Sequence, residues 1–428
     1  MDLTWTLLAI IATYVITHTF LTKTYDYWKK QNVPSLPNPL PGFGHMWPVI
    51  SLKNSLMTFA VDVYENSKTS MVGFYFMRKP GLVLCEPELV KNVMVTNFSN
   101  FSANGIVLNE KTDPILSKNP FVIADHRRWK VARAHTISNL SSQNLKSLFN
   151  IVKDVCQNMN DYVDRKIKEN NDSFESELKD TFARYTSEIV ANCAFGMEGH
   201  SFEDNPDPLT FINSEDFDST ISDVLIFYAG LYETSSTVLA ILFYHLSQNQ
   251  EVQRKLRSHI VSIIQANKGH ITFESLKSMN YLDQVISESL RLLPPAFAFR
   301  KECTKETTLT GSDGLQCHVR PGTVIMIPLM GLQNDSKYWD KPHVFDPDRF
   351  NPENHANHRE GAYLPFGDGP RKCVGIRLAL MLVKLAVATL LKNFSIQSST
   401  KMKAPLEMEA FFAITHIKGG FWGKFEKL

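Results

Sequence analysis

The sequence lacks an excess of charge of either sign. Its 428 residues include 45 lysines and arginines against 44 aspartates and glutamates, which leaves a formal net charge of +1. Proteins that bind nucleic acid mainly through its phosphates usually carry a clear basic excess. The balanced charge therefore argues against nucleic acid as the main partner.

Paired cysteines are also missing. The six cysteines occupy positions 85, 156, 193, 303, 317 and 373, and none belongs to a Cys-x-x-Cys pair. Cysteine pairs at short, regular spacing are typical of zinc sites, and dense cysteine patterns are typical of disulfide frameworks in secreted domains. The scattered pattern indicates a protein of a reducing compartment.

Charge is absent from the N-terminal stretch Leu3 to Leu21, which has nearly the length needed to cross a bilayer. A cleaved signal peptide is the alternative, but Asp2 rather than a basic residue precedes the run and no clear cleavage site follows it. We therefore expect an anchor. Lysines at positions 23, 29 and 30 follow the run, so the positive-inside rule places the rest of the chain in the cytosol.

Prolines at positions 34, 37, 39 and 41, closed by glycines at 42 and 44, predict a stiff extended spacer after this run. We therefore divide the chain into an N-terminal membrane anchor at 1–22, a basic and proline-rich hinge at 23–44, and a single domain at 45–428.

Hydrophobic periodicity predicts a domain built mainly of helices with a few short strands. The predicted helices are 151–195, 221–246 and 281–293, and the predicted strands are 72–75, 81–85, 307–309, 316–319 and 324–327.

A tight loop meets a helix at Cys373. Glycines and a proline make Phe366 to Lys372 a loop, and the apolar segment Ile376 to Leu391 has helical spacing. Unpaired N–H groups at a helix start favour an anion such as a thiolate, and Arg371 lies two residues from the sulfur. Taken alone, a lone cysteine of this kind is more often a buried core residue.

The residues around the cysteine change that interpretation. The pattern Phe-x-x-Gly-x-Arg-x-Cys-x-Gly resembles the haem-thiolate loop of the cytochrome P450 superfamily, and the overall character resembles microsomal, insect-type members. The resemblance implies a mainly α fold with small β-sheets (α+β), and haem b whose iron is bound by the Cys373 thiolate. It also implies that Phe366, Arg371 and Gly375 contact the cofactor.

Basic residues elsewhere match the same family. Trp129 and Arg133 are four residues apart, so they share one helix face, and they resemble the pair that binds one haem propionate. A basic residue before Cys303 binds the second propionate in this family, and both Arg300 and Lys301 are candidates. Basic residues at 127, 128 and 130 would enrich a surface suited to an acidic electron donor.

Glu233 and Thr234 interrupt an apolar helix, where polar groups are costly to bury without partners. A packed polar cluster is one explanation. By resemblance, the two residues are the acid and threonine that relay protons during oxygen activation. Leu231 then stands where the family usually has glycine, and we expect it to crowd the groove beside this pair.

Glu288 and Arg291 share a helix face three residues apart, as do Glu251 and Arg254. The first pair differs because Pro-Asp-Arg349-Phe, which resembles the family's Pro-Glu-Arg-Phe segment, lies between it and the cysteine loop. The resemblance implies a buried ion network of Glu288, Arg291 and Arg349 that serves folding.

The segment between Gly196 and Gly230 is several dozen residues shorter than in full-length family members, which indicates an internal deletion near 200–220. The helices that roof the substrate pocket belong there. Residues 295–299 and 411–414 would supply apolar pocket wall.

The resemblance implies a monooxygenase that inserts one atom of O2 into a lipophilic small molecule, a xenobiotic or an endogenous lipid or hormone. NADPH-derived electrons would arrive through NADPH-cytochrome P450 reductase, with cytochrome b5 as a further donor, at the endoplasmic reticulum membrane and on its cytosolic side. The alternative is a non-catalytic haem-binding or misfolded product of a truncated transcript or gene model. An oxygen-independent isomerase is disfavoured because Glu233 and Thr234 are both present.

Overall fold

The computed structural model describes residues 3–106, 108–113, 117, 123, 125–203, 228–357, 360–410 and 414–428. Its helices are α1 Leu3–Thr22, α2 Tyr27–Lys30, α3 Trp47–Ile50, α4 Leu56–Glu65, α5 Pro87–Lys91, α6 His126–Asn139, α7 Ser142–Glu169, α8 Leu178–Val190, α9 Glu233–Gln248, α10 Gln250–Ala266, α11 Phe273–Lys277, α12 Asn280–Leu292, α13 Leu329–Gln333 and α14 Ile376–Asn393. Its strands are β1 Met71–Phe76, β2 Lys79–Leu84, β3 Ser173–Glu177, β4 Phe299–Glu302, β5 Thr307–Thr310, β6 Gln316–Val319, β7 Val324–Ile327, β8 Phe394–Ser398 and β9 Trp422–Lys427.

Helices predominate and the sheets are small, which confirms the predicted fold class. One sheet has the strand order β1-β2-β7-β4, a second has the order β3-β9-β8, and β5 pairs with β6. All five predicted strands are present within two residues of the predicted bounds.

The helices α7, α8, α9, α12 and α14 share one hydrophobic core. Phe182 and Tyr185 of α8, Phe243 of α9, and Leu382 and Leu385 of α14 are fully buried in it. Helix α14 begins just after the cysteine loop, and burial of its apolar side chains fixes the position of that loop relative to the core.

The prediction of helix from 151 to 195 was wrong over Ser173–Glu177, which forms β3. Asn171 and Asp172 take left-handed backbone conformations and end α7, and β3 then pairs along its whole length with β9 near the C-terminus. A strand that depends on a partner so distant in sequence leaves no local periodic signal. The predicted helix at 221–246 is described only from Tyr228, where a π-helical turn, Tyr228–Tyr232, leads into α9.

The segment after α8 is held by buried polar contacts. The buried carboxylate of Glu188 accepts hydrogen bonds from the backbone N–H groups of Gly199, at 2.8 Å, and Ser201, at 2.9 Å. The guanidinium of Arg184 donates to the carbonyl of Ser201 at 3.0 Å. The chain that leaves α8 is therefore fixed on this helix.

A buried ion network connects α12 to the segment that precedes the cysteine loop. Arg291 Nε lies 2.7 Å from Glu288 Oε2, and both side chains are fully buried. Arg349 Nε lies 3.2 Å from Glu288 Oε1. Arg291 also donates to the carbonyls of Gln333, at 2.8 Å, and Pro342, at 2.7 Å. The network thus joins α12, the end of α13 and the 342–349 segment.

The same spacing on α10 gives an exposed pair, which provides a matched control. Arg254 Nη2 lies 3.9 Å from Glu251 Oε1 in solvent. Replacing Glu288 by Gln leaves the buried Arg291 without its counter-charge, so we expect the free energy of unfolding to fall by about 3–5 kcal/mol. Glu251→Gln should leave stability close to that of the wild type, since exposed pairs contribute little. Urea unfolding of both variants measures the difference, and equal stability of the two would contradict the network's role.

Candidate functional site

The cysteine loop is closed by its own backbone. The N–H of Cys373 donates to the carbonyl of Phe366 at 2.9 Å. Gly369 has a φ of +64°, and a Cβ on it would lie 2.0 Å from the carbonyl oxygen of Met94. Only glycine fits there, because both the conformation and the close backbone contact exclude a side chain. The loop is thereby pressed against the segment that follows α5.

Opposing effects act on the Cys373 thiol. Its side chain keeps contact with solvent, but the desolvation that the loop does impose raises the pKa of the thiol. A hydrogen bond from the backbone of Gly375 and the charge of Arg133 lower the pKa and only partly offset that effect. Helix α14 begins at Ile376, three residues after the cysteine, and Gly375, which donates this hydrogen bond, immediately precedes the helix.

Helix α6 places an aromatic ring and a cation beside this loop, and the loop itself contributes a second cation, Arg371. Arg133 Nη2 donates to the carbonyl of Lys372 at 2.6 Å. The guanidinium carbon of Arg371 lies 4.6 Å from the centroid of the buried Trp129 ring, and that of Arg133 lies 5.8 Å from it. The Trp129 side chain therefore fills the space between the backbone of α6 and the cysteine loop, and both arginines lie close to its ring.

Arg300 and Lys301 lie on opposite faces of strand β4. Phe299 faces the cysteine loop, since its ring lies 3.9 Å from the point that a Cβ of Gly367 would occupy. Side chains alternate along a strand, so Lys301 shares the face of Phe299 and Arg300 takes the other. The Arg300 guanidinium accordingly lies 4.8 Å from the ring centroid of Phe76. Of the two candidates, Lys301 is the one on the side of the cysteine loop.

Burial and a neighbouring positive charge lower the pKa values of two cations near the loop, Lys301 and Arg371. Burial and the charge of Arg371 lower the pKa of Lys301 to about 7, and Lys301 Nζ donates to the neutral amide oxygen of Asn104 at 2.8 Å. Burial and the charge of Arg133 lower the pKa of Arg371 to about 10. Positive charge is thus concentrated in a partly desolvated region, an arrangement that favours an anionic ligand.

Glu233 lies at the start of α9 in a polar cluster. Its carboxylate is paired with Lys179 of α8, and His416 Nε2 lies 2.9 Å from Glu233 Oε1. Burial raises the pKa of Glu233, but the hydrogen bonds with Lys179 and His416 outweigh that effect and leave the pKa below its usual value. The hydroxyl of Thr234 donates to the carbonyl of Gly230.

Leu231 is buried, although it lies close in sequence to Glu233 and Thr234. Its side chain is buried and belongs to the largest hydrophobic core, whereas a Cβ on Gly230 would meet nothing within 4 Å. The π-helical turn Tyr228–Tyr232 spaces its residues differently from an α-helix, and so changes which residue faces inward. Burial of Leu231 does not show what lines the groove beside a bound cofactor, so the expectation that Leu231 crowds it stays a prediction.

The predicted residues form two groups. Trp129, Arg133, Lys301 and Arg371 gather at the loop of Cys373. Glu233 and Thr234 form the second group, and among the described residues no hydrogen bond joins them to the first. Of the pocket wall predicted at 411–414, only residue 414 is described.

Sequence reasoning missed the partners of Glu233. Lys179 lies 54 residues from Glu233 in the sequence, and His416 lies 183 residues from it. Contacts at such separations have no spacing signal. Asn104, the partner of Lys301, was missed for the same reason.

Comparison with known proteins agrees with this geometry. The family model described as Cytochrome P450 matches residues 34–223 and 212–422. Cytochrome P450 9e2 of Blattella germanica is 29% identical to this chain over an alignment that covers 98% of the chain and 97% of that protein. Probable cytochrome P450 28a5 of Drosophila melanogaster is 29% identical, with 95% and 96% covered. Cytochrome P450 6a2 of Drosophila melanogaster is 26% identical, with the same two shares covered.

The family model thus matches almost the whole chain beyond its N-terminal helix, and the similar proteins are insect enzymes of the same family. This chain therefore belongs to the cytochrome P450 family and is a monooxygenase of the insect type.

Proposed function

We propose that this chain binds haem b through Cys373 and inserts one atom of O2 into a lipophilic small molecule, a xenobiotic or an endogenous lipid or hormone. Electrons come from NADPH through NADPH-cytochrome P450 reductase, with cytochrome b5 as a further donor. The observation that carries the proposal is the convergence of Trp129, Arg133, Lys301 and Arg371 on the cysteine loop.

The residues at the loop fit haem. A thiol ligand and clustered cations match an iron porphyrin that carries two carboxylates. Bound haem supplies the one-electron and oxygen chemistry, which a thiolate ligand favours by donating electron density. The charge of an anionic cofactor also opposes the lowering of the Lys301 pKa by Arg371.

Each residue of the group has a separate role. Cys373 would bind the iron, and Phe366 and Gly375 would shape the loop around that ligand. Trp129 and Arg133 hold one propionate from α6, and Arg371 adds positive charge beside them.

Lys301 holds the second propionate from β4. Arg300 lies on the opposite face of that strand, over the ring of Phe76, and so would not hold the propionate. This assignment follows from the alternation of side chains along β4 and from the position of Phe299.

The exposed face of α6 fits an acidic electron donor. Arg127, Arg128 and Lys130 are all exposed next to the buried Trp129. Basic side chains at the rim of a docking surface raise the association rate of an acidic partner. A donor docked there lies against the helix that holds the cofactor.

Glu233 and Thr234 deliver protons for oxygen activation. Lys179 and His416 keep the Glu233 carboxylate ionised and in place, so it can accept a proton from solvent. The Thr234 hydroxyl, one residue on, passes the proton inward.

The shortened connection supports a second candidate, a non-catalytic haem-binding protein. The family model matches in two segments that overlap only at 212–223, which is where we infer that helices over the pocket have been lost. Without them, water has freer access to the cofactor, and the binding surface for substrate is smaller.

The N-terminal helix supports the proposed location at a membrane. Helix α1 has 20 residues, mean hydropathy 1.5 and no buried residue. At a rise of 1.5 Å per residue, such a helix spans about 30 Å, the thickness of a bilayer's hydrocarbon core. Lys23, Lys29 and Lys30 follow this helix, so the positive-inside rule supports a cytosolic domain. The proposed membrane is that of the endoplasmic reticulum.

Exchange of Lys301 for Met tests the propionate assignment against Arg300→Met, its neighbour on the other face of β4. Loss of a charge-assisted hydrogen bond costs about 1.5–3 kcal/mol, so Lys301→Met should release haem roughly ten times faster or more than the wild type. Arg300→Met should release it at the wild-type rate. The rate is measured by transfer of haem to excess apomyoglobin, and the reverse order of the two variants would refute the assignment.

Exchange of Thr234 for Ala tests the monooxygenase itself. The variant should consume oxygen with NADPH and reductase but form about tenfold less product per oxygen, with peroxide in its place, because the relay is interrupted. Ser236→Ala is the matched control, since Ser236 also donates within its own helix, to the carbonyl of Tyr232 at 2.7 Å. Product and peroxide are measured with a broad-specificity fluorogenic ether. Equal coupling in both variants would exclude the relay role, and a wild type that binds haem without consuming oxygen would favour the second candidate.

A further inference from the structure

Glu233 shares one carboxylate oxygen with two basic side chains from different elements. Lys179 of α8 pairs with Glu233 Oε1, and His416 Nε2 lies 2.9 Å from the same oxygen. Lys179 Nζ also lies 2.6 Å from His416 Nε2. The three side chains therefore form a closed triangle, which we call the acid triad and which consists of Lys179, Glu233 and His416.

The acid triad cannot make all three hydrogen bonds at once. A ring nitrogen of histidine carries either a proton, with which it donates, or a lone pair, with which it accepts. With a proton, His416 Nε2 donates to Glu233, and with a lone pair it accepts from Lys179. The acid triad thus has two hydrogen-bond arrangements, and they differ by one proton on His416.

The backbone on both sides of His416 holds the imidazole in this position. The Thr415 hydroxyl donates to the carbonyl of Pro294 at 2.6 Å, and the Thr415 N–H donates to the carbonyl of Pro295 at 2.8 Å. On the other side, Ile417 is buried in the main hydrophobic core. The imidazole is therefore directed at Glu233 by its fixed neighbours, and does not move freely as a surface side chain would.

Water reaches the acid triad, although each of its side chains is mostly buried. The exposed fraction is 17% for Lys179, 29% for Glu233 and 25% for His416. Partly buried charges are screened less by salt than exposed ones, so the contacts within the triad remain strong. Histidine is the side chain that ordinarily gains or loses a proton between pH 5 and 8, which makes it the member suited to exchange protons with solvent.

The charges that act on the imidazole come from the other two members of the acid triad, an ammonium on α8 and a carboxylate on α9. On its own segment, Lys418 Nζ lies 3.2 Å from Glu407 Oε2, and this exposed pair is compensated within itself. Glu409 contacts His416 through the backbone, since its N–H donates to the His416 carbonyl at 2.9 Å. The carboxylate favours the imidazolium and the ammonium opposes it, so protonation of His416 is coupled to the charge of both.

We propose that His416 delivers to Glu233 the protons that enter from solvent during turnover. The imidazolium gives its Nε2 proton to Glu233 Oε1, which leaves a neutral imidazole and a carboxylic acid, and solvent then returns a proton to the ring. Lys179 donates to the unprotonated Nε2 and so stabilises the arrangement that follows the transfer. The proposal rests on the relay of Glu233 and Thr234 proposed above and adds its point of entry.

Turnover of the fluorogenic ether with NADPH and reductase tests this as a function of pH. The wild type should form less product per oxygen as the pH rises from about 6 to about 8, because fewer imidazoles then carry a proton. At the lower pH, His416→Gln should form about tenfold less product per oxygen, and its yield should no longer depend on pH, because the donor is missing. His318→Gln is the matched control and should follow the wild type, since His318 Nε2 lies 2.7 Å from Glu306 Oε1 in a similar pair away from α9.

The outcomes separate this proposal from the relay itself. A His416→Gln variant that keeps the wild-type yield and pH dependence would overturn the proposal. If Thr234→Ala nevertheless lowers the product per oxygen, the relay stands and its protons enter elsewhere. If neither variant lowers it, the relay is refuted and this proposal with it.

Chemical modification tests the coupling without turnover. Diethyl pyrocarbonate acylates the neutral imidazole, and mass spectrometry of the haem-loaded protein locates the modified histidine. At a pH of about 6, Glu233→Gln should raise the rate at His416 about threefold or more, because the imidazolium loses its counter-charge, and Lys179→Met should lower it.

The rate at His318 is the internal reference and should be the same in all three proteins. An unchanged haem absorption spectrum shows that each variant has folded. Rates at His416 that are equal in the wild type and both variants, or that change in the same direction in both variants, would show that the imidazole is not coupled to this carboxylate and would overturn the proposal.

Discussion

The hydrogen bond from Arg133 to the carbonyl of Lys372 connects α6 to the cysteine loop, 239 residues later in the chain. Trp129 packs against Arg371 across the same junction. These contacts determine where α6 lies relative to the cysteine loop. Every role assigned on the thiolate side of the cofactor depends on that relation.

The two parts of the proposed site, the cysteine loop and the Glu233 cluster, differ in how tightly the surrounding structure packs against them. The cysteine loop leads directly into α14, which is buried in the main core, and the Glu288 network fixes the segment before it. On the other side, Glu233 is held by Lys179 and His416, two surface-accessible groups from separate elements. The loop that we propose binds the cofactor therefore belongs to rigid parts of the fold, whereas the proposed proton relay belongs to a polar cluster at the start of α9.

Much of the fold could be predicted because its signals are local. The periodic apolar positions of α14, the proline after α12 and the turn residues between β5, β6 and β7 are all readable in short windows. Strand β3 could not be predicted, since it depends on β9. The sequence also could not decide between Arg300 and Lys301. The choice depends on which face of β4 points to the cysteine loop, and the position of Phe299 next to Gly367 shows that face. The π-helical turn that contains Leu231 was also missed, because such a turn is not apparent from a helical pattern.

The most direct measurement is the absorption spectrum of the purified full-length chain, reduced and bound to carbon monoxide, with Cys373→Ser as its control. Loaded with haem, the wild type should give the band of a thiolate-ligated iron, and the control should lack it whether or not it retains haem. A wild type that contains haem but lacks this band, or a control that keeps it, would contradict the assignment of Cys373 as the ligand.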